Sequence, residues 1–162
     1  MPQTPRLDAT DRRIIRALQR NGRMTNLDLA EEVGLSPSPC LRRLRALEKN
    51  GAIRGYSVEV DAKAYGLPVT VMVRVTLDGH DEGTVKRFEN QIRAIPEVLE
   101  CFVMSGLSDY LLRVVVPDIA AYDAFYKRMI EKIEIRDVSS SFAMEQIKYT
   151  TQMPLDYMVL DK

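Results

Sequence analysis

The sequence predicts an α+β protein in which three short helices precede a segment of strands and helices in the order βαββαβ. Up to residue 50, apolar residues recur every three or four positions, as they do along one face of a helix. Beyond residue 68, stretches that alternate with period two, the spacing of strands, are interleaved with stretches of helical spacing. Hydrophobic residues make up 46% and charged residues 28% of the 162 residues, which is enough to bury a core.

The first two helices are predicted from their caps. Asp8 is a suitable N-cap for the first helix, and Asn21 with Gly22 ends it. Thr25, followed three residues later by Asp28, forms a capping box for the second helix, and Gly34 ends it. The apolar stripes are Ile14, Ile15 and Leu18 in the first helix and Leu29, Ala30 and Val33 in the second.

A third helix follows after a very short turn. Ser36 is its predicted N-cap, Pro37 fits its first position because that residue needs no N–H, and Asn50 with Gly51 ends it. Because only residues 34–36 separate the two helices, they form a helix-turn-helix. The buried stripe of the third helix is Cys40, Leu41, Leu44 and Leu47.

Alternating Tyr56, Val58 and Val60 predict a strand over residues 53–60, which would be the wing of a winged helix-turn-helix. The pattern then breaks around Gly66 and Pro68. The sequence therefore predicts a winged helix-turn-helix domain over residues 1–60, a hinge over 61–68 and a second domain over 69–162.

The second domain is predicted to be a ferredoxin-like sandwich, because its elements follow the order βαββαβ. Pro96 ends its first helix and Asp118 caps its second. The four predicted strands cover residues 70–77, 98–105, 110–116 and 138–149, with a hairpin turn at 106–109.

Both helices of such a sandwich lie on one face of the sheet, so the other face needs a separate cover. Met72, Arg74 and either Phe102 or Met104 are expected on that second face. A partly apolar face with no further element of the chain to cover it is most simply covered by a second copy. The sequence therefore predicts a homodimer.

The charges are divided unevenly between the two parts. Residues 1–60 hold 11 Lys and Arg against 7 Asp and Glu, whereas residues 61–162 hold 12 against 16. An Arg-rich segment joined to an acidic one indicates a nucleic-acid module with a partner domain. No apolar run reaches the ~18 residues of a membrane span, and the N-terminus has no signal peptide, so a cytoplasmic location is predicted.

We find no pattern that predicts catalysis, a cofactor or a metal site. The single histidine, His80, lies in a polar loop and is expected to be a surface residue. Cys40 and Cys101 are too few for a four-ligand zinc site and are expected to be packing residues, with redox sensing by Cys40 as the alternative.

Candidate DNA-contacting residues lie in the third helix, the recognition helix of a helix-turn-helix. Such a helix places its first turns in the major groove and its cations near phosphates and guanine. The residues expected to bind double-stranded DNA are Ser36, Ser38, Arg42, Arg43 and Arg45.

The sequence resembles a known family, the leucine-responsive regulatory protein/AsnC or "feast/famine" transcription regulators. The resemblance covers nearly the whole chain and rests on several motifs in the right order. In the first half these are LDxxD at 7–11, LQxNGR at 18–23, LSPSPCLRRL at 35–44 and LExxGxIxGY at 47–56. In the second half they are PEV at 96–98, SGxxDYLL at 105–112 and VPD at 116–118.

The resemblance implies DNA-binding dimers that assemble further, often to octamers, and that bind an amino-acid effector between dimers. Asp109 would face the ammonium group of the effector. The tail after residue 140 resembles a branch linked to cysteine detoxification more than the leucine-responsive member. The implied effector site comprises Ser105, Gly106, Leu107, Ser108, Asp109 and Tyr110, together with Ser140, Ser141 and Phe142 of the last strand.

Two alternatives of other classes remain open. Ferredoxin-like domains that dimerise through their sheets also occur as small enzymes, and a helix-turn-helix protein can be a DNA-architectural protein without an effector. The absence of a convergent acid and base in residues 61–162 argues against the enzyme.

Overall fold

The structure, a computed structural model, describes residues 7–131 and 134–157. The described residues divide into two compact units. One comprises residues 7–58 together with 148–157, and the other comprises residues 59–147 without the two that are not described. The predicted domains 1–60 and 69–162 extend at their ends beyond the described residues.

The first unit has three α-helices, α1 (Ala9–Arg20), α2 (Asn26–Val33) and α3 (Pro37–Lys49), and a 3-10 turn at Leu155–Tyr157. Each α-helix begins at its predicted N-cap. Asp8 and Asp11 form a reciprocal capping box for α1, as Thr25 and Asp28 do for α2. Gly34 ends α2 in the left-handed conformation, with φ of 69°, which turns the chain directly into α3. The buried core of this unit is Leu7, Ile14, Ala17, Leu29, Ala30, Val33, Cys40 and Leu47.

The predicted wing strand does not form within this chain. Residues 53–60 are all described, and none of them belongs to a hydrogen-bonded strand. Tyr56, Val58 and Val60, whose alternation predicted the strand, are instead exposed. Alternation of this kind predicts a strand only where another strand supplies the ladder partner, and the described part of this chain offers none.

The second unit has four strands and two helices. The strands are β1 (Val69–Leu77), β2 (Val98–Val103), β3 (Tyr110–Val116) and β4 (Ile135–Phe142), and the helices are α4 (Glu82–Arg93) and α5 (Ile119–Ile130). The sheet order is β2-β3-β1-β4 with every pair antiparallel, which confirms the predicted ferredoxin-like arrangement.

The two faces of the sheet differ as predicted. Val71, Val73 and Val75 of β1 are fully buried on the face that packs against α4 and α5. The strand register places Met72 and Arg74 on the opposite face. Phe102 of β2 pairs with Leu111, which itself pairs with Arg74, so Phe102 also lies on this second face.

The last strand is shorter than predicted. It was expected over residues 138–149, but β4 begins at Ile135 and ends at Phe142. The Ala143 N–H donates a last hydrogen bond, 2.9 Å long, to the Thr70 carbonyl near the start of β1. Two residues before Thr70 in the chain is Pro68, which has no N–H, so β1 offers no further donor to the ladder at that position.

None of the helices formed by residues 7–131 and 134–157 combines the length and the apolar character needed to cross a lipid bilayer.

Candidate functional site

One face of α3 carries polar and basic side chains only. Ser38, Arg42, Arg45 and Lys49 are spaced by four, three and four residues, so they lie in line along the helix. All four are exposed. Among the described residues, Arg42 and Arg45 form no ion pair, which leaves two guanidinium groups available to a ligand. Lys49 was missed in the sequence analysis, although its spacing from Arg45 would have predicted it.

The beginning of α3 has an unusual set of donors. Ser36 occupies the N-cap, but its side chain makes no capping hydrogen bond. Pro37 and Pro39 have no N–H, and the Cys40 N–H already donates to the Ser36 carbonyl at 3.2 Å. Ser38 therefore supplies the one unused backbone N–H of this first turn. An anion at this helix end would be bound by that N–H and by the Ser36 and Ser38 hydroxyls.

Arg43 occupies a different place from its neighbours. It follows Cys40 by three residues and precedes Leu47 by four, and both of these are buried. Its guanidinium therefore turns towards α1, where Nη1 lies 2.6 Å from Asp8 Oδ2 and 2.9 Å from Asp11 Oδ1. Arg43 was expected to bind DNA together with Arg42, but in this structure its guanidinium is instead engaged by the two carboxylates of α1.

The electrostatics of this cluster are consistent with a charged pair. Burial raises the pKa of Asp8, but hydrogen bonds from the backbone of Asp11 and Thr10 and from Arg43 outweigh burial and lower its pKa overall. Hydrogen bonds to Asp8 and Asp11 in turn raise the pKa of Arg43. The cluster joins the N-cap of α1 to the middle of α3 and so fixes the orientation of the polar face of α3.

In the second unit, Asp109 is held by several hydrogen bonds at the end of the β2–β3 hairpin. Its N–H donates to the Val75 carbonyl at 3.0 Å, and its carbonyl accepts from the Met104 N–H at 2.8 Å. Its carboxylate oxygen Oδ2 accepts from the Leu77 N–H at 2.8 Å. These contacts bind the hairpin to the end of β1, so Asp109 has a structural role whether or not it also binds a ligand.

The second carboxylate oxygen of Asp109 contacts the only histidine of the chain. Oδ1 lies 2.9 Å from His80 Nε2, and the imidazole is 66% exposed. The hydrogen bond with His80 lowers the pKa of Asp109, and so does the one from the Leu77 N–H. Burial raises this pKa, but the two hydrogen bonds outweigh it. Sequence alone gave no sign of this pair, since 29 residues separate its members.

The other hairpin residues differ widely in accessibility. Ser105, Gly106 and Leu107 are exposed, and Gly106 has a φ of 121°, which favours glycine in the turn. Ser108 is half-buried. Tyr110, by contrast, is buried, with its ring centroid 4.4 Å from that of Phe88. Tyr110 therefore belongs to the core, whereas the preceding residues form an open loop.

The predicted site residues of β4 lie on both faces of the sheet. Ser140 and Phe142 pair with the inward-facing Val73 and Val71, and both contact Tyr122: the Ser140 hydroxyl through a hydrogen bond and Phe142 through an edge-on ring contact at 5.2 Å. Ser141 pairs with Met72 and therefore lies on the opposite face.

The two halves of the predicted effector site lie apart within one chain. Ser141 pairs with Met72, whereas Asp109 is bound to Leu77, five residues further along β1. At the rise of a strand this separation is roughly 16 Å. The structure therefore does not bring Asp109 and Ser141 together into a single pocket within the described chain.

Among the described residues, no three side chains of His, Cys, Asp or Glu lie close enough together to hold a metal ion. Cys40 is buried in the first core, as expected for a packing residue. Cys101 was also expected to be a packing residue, but it is exposed on the edge strand β2, so that expectation is wrong.

Two family models together match most of the chain. The model described as the winged helix-turn-helix DNA-binding family matches residues 7–54. The model described as the Lrp/AsnC ligand binding domain matches residues 70–153. The match boundaries agree with the predicted order of a DNA-binding domain followed by an effector domain.

Curated relatives match over almost their whole lengths. The DNA-binding transcriptional activator DecR of Escherichia coli is 40% identical over 151 residues, which cover 93% of this chain and 99% of DecR. The leucine-responsive regulatory protein of Haemophilus influenzae is 37% identical over 150 residues, 92% of this chain and 90% of its own.

Solved structures show the same fold. An AsnC family transcriptional regulator from Agrobacterium tumefaciens is 55% identical with a TM-score of 0.91, covering 94% of this chain and all of its own. A transcriptional regulator from Neisseria meningitidis, in complex with L-Met, is 38% identical with a TM-score of 0.89 and covers 94% of this chain and 99% of its own.

Proposed function

Because the chain belongs to the Lrp/AsnC family of transcription regulators, we propose that α3 binds operator DNA and that an amino acid bound by the second unit controls this binding. The observation that carries the proposal is the polar face of α3. It presents Ser38, Arg42 and Arg45 in line, with both guanidinium groups free of ion pairs among the described residues. The relatives named above are transcription regulators, which argues against the alternative that this chain is a small enzyme.

The two ends of this face have different tasks. Ser36 and Ser38 at the start of α3 bind a phosphate, through their hydroxyls and the unused Ser38 N–H. Arg42 and Arg45 lie further along the helix, where a guanidinium in the major groove makes bidentate contacts with guanine or binds a phosphate. Arg43 does not contact DNA in this arrangement; it fixes the orientation of α3 through its ion pairs with Asp8 and Asp11.

The effector is proposed to be a free amino acid. The Neisseria regulator above was solved with L-Met, which supports that chemical class. Asp109 is the acid that would pair with the ammonium group of the effector. Its Oδ2 is engaged by the Leu77 N–H, so the ammonium would approach Oδ1 and displace the exposed His80 imidazole. The open loop of Ser105, Gly106, Leu107 and Ser108 would contact the rest of the ligand.

The separation of the two predicted halves supports a site built from more than one copy of the chain. Asp109 and Ser141 are roughly 16 Å apart along the sheet, too far for one small amino acid to bridge. A second copy covering the sheet face of Met72 and Phe102, and further association of dimers up to the expected octamer, would bring hairpins and last strands of different copies together. Binding of the effector would then change how the copies associate.

A thermal-shift screen of the twenty amino acids against the full chain tests the effector, and gel shifts on an operator selected from random DNA test the binding. A ligand at 100 times its dissociation constant should add ~2.7 kcal/mol to the stability of the folded protein. The same ligand should change operator affinity. A protein that binds the operator but is stabilised by none of the amino acids would instead be a DNA-architectural protein.

A further inference from the structure

A row of arginines runs along α1, on a different helix from the DNA-contacting face described above. Arg12, Arg16 and Arg20 are spaced by four residues and so lie one turn apart on one side of the helix, and Arg13 is next to them. Arg20 is paired with Glu32 of α2. The remaining three guanidinium groups form what we call the arginine face of α1: Arg12, Arg13 and Arg16.

The C-terminal segment packs on this face. Gln19 binds the backbone of Met153 twice: its Nε2 donates to the Met153 carbonyl at 3.3 Å, and its Oε1 accepts from the Met153 N–H. Three residues later, Asp156 Oδ1 lies 3.3 Å from Arg12 Nη2 and 3.2 Å from Arg16 Nη2. We call residues 150–157 the strap, and these contacts fix its register on α1.

The contact of Asp156 has the chemistry of a phosphate site. One carboxylate oxygen lies between two guanidinium groups, the arrangement by which arginines bind phosphate oxygens. Beside it, Ala9 and the three arginines of the arginine face line a hollow of about 260 Å³. An anion larger than a carboxylate would therefore find further cationic contacts next to Asp156.

We propose that the arginine face of α1 is a second site for the phosphate backbone of double-stranded DNA, and that the strap occupies this site in the free protein and competes with DNA for it. In the free protein, the Asp156 carboxylate occupies the position that a DNA phosphate would take. Gln19 holds Asp156 in place by binding the strap backbone at Met153.

The exposure of the contact makes it displaceable. The Asp156 side chain is 80% exposed, and ion pairs in such a setting contribute little to stability. A DNA strand, in contrast, gains from the release of its condensed counterions when arginines neutralise its phosphates. The strap therefore limits DNA binding at this face without blocking it permanently.

The test measures binding of the full chain to a short duplex of random sequence, by fluorescence anisotropy over a series of KCl concentrations. Asp156→Ala should raise affinity several-fold at low salt and steepen the plot of log affinity against log salt by about one to two, because Arg12 and Arg16 become available. Gln19→Ala, which changes no charge, should also raise affinity, since it loosens the strap.

The matched control is Glu145→Ala. It removes the same charge from an exposed residue shortly before the strap, and Glu145 forms no ion pair among the described residues. This variant should bind like the wild type. If Asp156→Ala behaves like Glu145→Ala, net charge rather than the strap is responsible and the proposal fails.

Repeating the test in a variant that lacks Arg12 and Arg16 shows whether the effect of Asp156 acts through α1. In a chain carrying both Arg12→Ala and Arg16→Ala, the substitution Asp156→Ala should no longer change affinity or salt slope. A persistent effect there, or a loss of affinity on removing Asp156 from the wild type, would overturn the proposal. Circular dichroism melting of each variant checks that the fold is retained.

Discussion

Arg43 of α3 and Asp8 at the N-cap of α1 form an ion pair in which Nη1 lies 2.6 Å from Oδ2. The same nitrogen contacts Asp11, so one guanidinium joins α3 to both members of the α1 capping box. Two adjacent arginines of α3 therefore have different tasks. Arg43 maintains the fold of the first unit, whereas Arg42 is exposed and available to DNA.

The first prediction separates these two roles. Arg43→Ala should destabilise the protein by about 1 kcal/mol, a small value because the partners are partly exposed, and lower the melting temperature by roughly 2–4 °C. Arg42→Ala should melt like the wild type but bind operator DNA ~1–3 kcal/mol more weakly. Circular dichroism melting and gel shifts measure the two effects. Equal melting temperatures for both variants would contradict the assignment of Arg43.

The second prediction concerns acid. The pKa of Asp8 is lowered below its ordinary value of 3.8 in the folded protein, so the fold favours the carboxylate. The stability that Asp8 contributes is therefore complete above that value and is lost as the pH falls through the lower, folded pKa. Asp8→Asn should be less stable than the wild type near neutral pH and should lose less stability between about pH 5 and about pH 3.

Urea unfolding at several pH values measures this difference. Glu31→Gln, which alters an exposed acid of α2 without an ion pair among the described residues, is the matched control. If Asp8→Asn and the wild type lose stability in parallel on acidification, the carboxylate of Asp8 does not stabilise the fold.

The sequence predicted the elements whose signals are local. Asp8, Thr25 and Ser36 each stand at the N-cap of a helix, because capping depends on neighbours within a few residues. The valines of β1 face the core because alternation within a strand is also local. The topology followed from the order of these elements.

Contacts between distant residues could not be predicted in this way. Asp109 pairs with His80, and Asp156 pairs with Arg12 and Arg16. These contacts depend on the tertiary fold, which brings residues distant in sequence together, and composition and local spacing contain no information about it. The strand predicted over 53–60 needs a partner that the described chain does not supply. For Arg43 the signal was present, because its spacing from Cys40 and Leu47 places it on the buried side.

The third prediction concerns assembly. Phe102 is 51% exposed on the sheet face that a second copy is proposed to cover. A charge buried without a partner at such an interface is strongly unfavourable, so Phe102→Asp should convert the assembly to monomers. Ala120→Asp, on the exposed side of α5, is the control and should assemble like the wild type. Light scattering coupled to size-exclusion chromatography reports the mass, and a wild-type monomer at micromolar concentration would contradict the proposed dimer.

The last prediction separates the structural role of Asp109 from its proposed ligand role. Asparagine at this position can still accept the Leu77 N–H through its amide oxygen, but it carries no negative charge for an ammonium group. Asp109→Asn should therefore keep the hairpin and normal operator affinity without effector, and lose the stabilisation by the amino acid found in the screen. The wild type should show coupling of about 5- to 150-fold between effector and operator, and the variant should show almost none. Because such coupling is reciprocal, the operator should change effector affinity by the same factor in the wild type.

Two further variants serve as controls. Asp109→Ala removes both the hydrogen bond to the hairpin and the charge, so it should also melt at a lower temperature. His80→Ala should retain the response to the effector, since the imidazole is only the group that the ammonium displaces. An Asp109→Asn variant that responds normally to the effector would show that the carboxylate serves the hairpin alone.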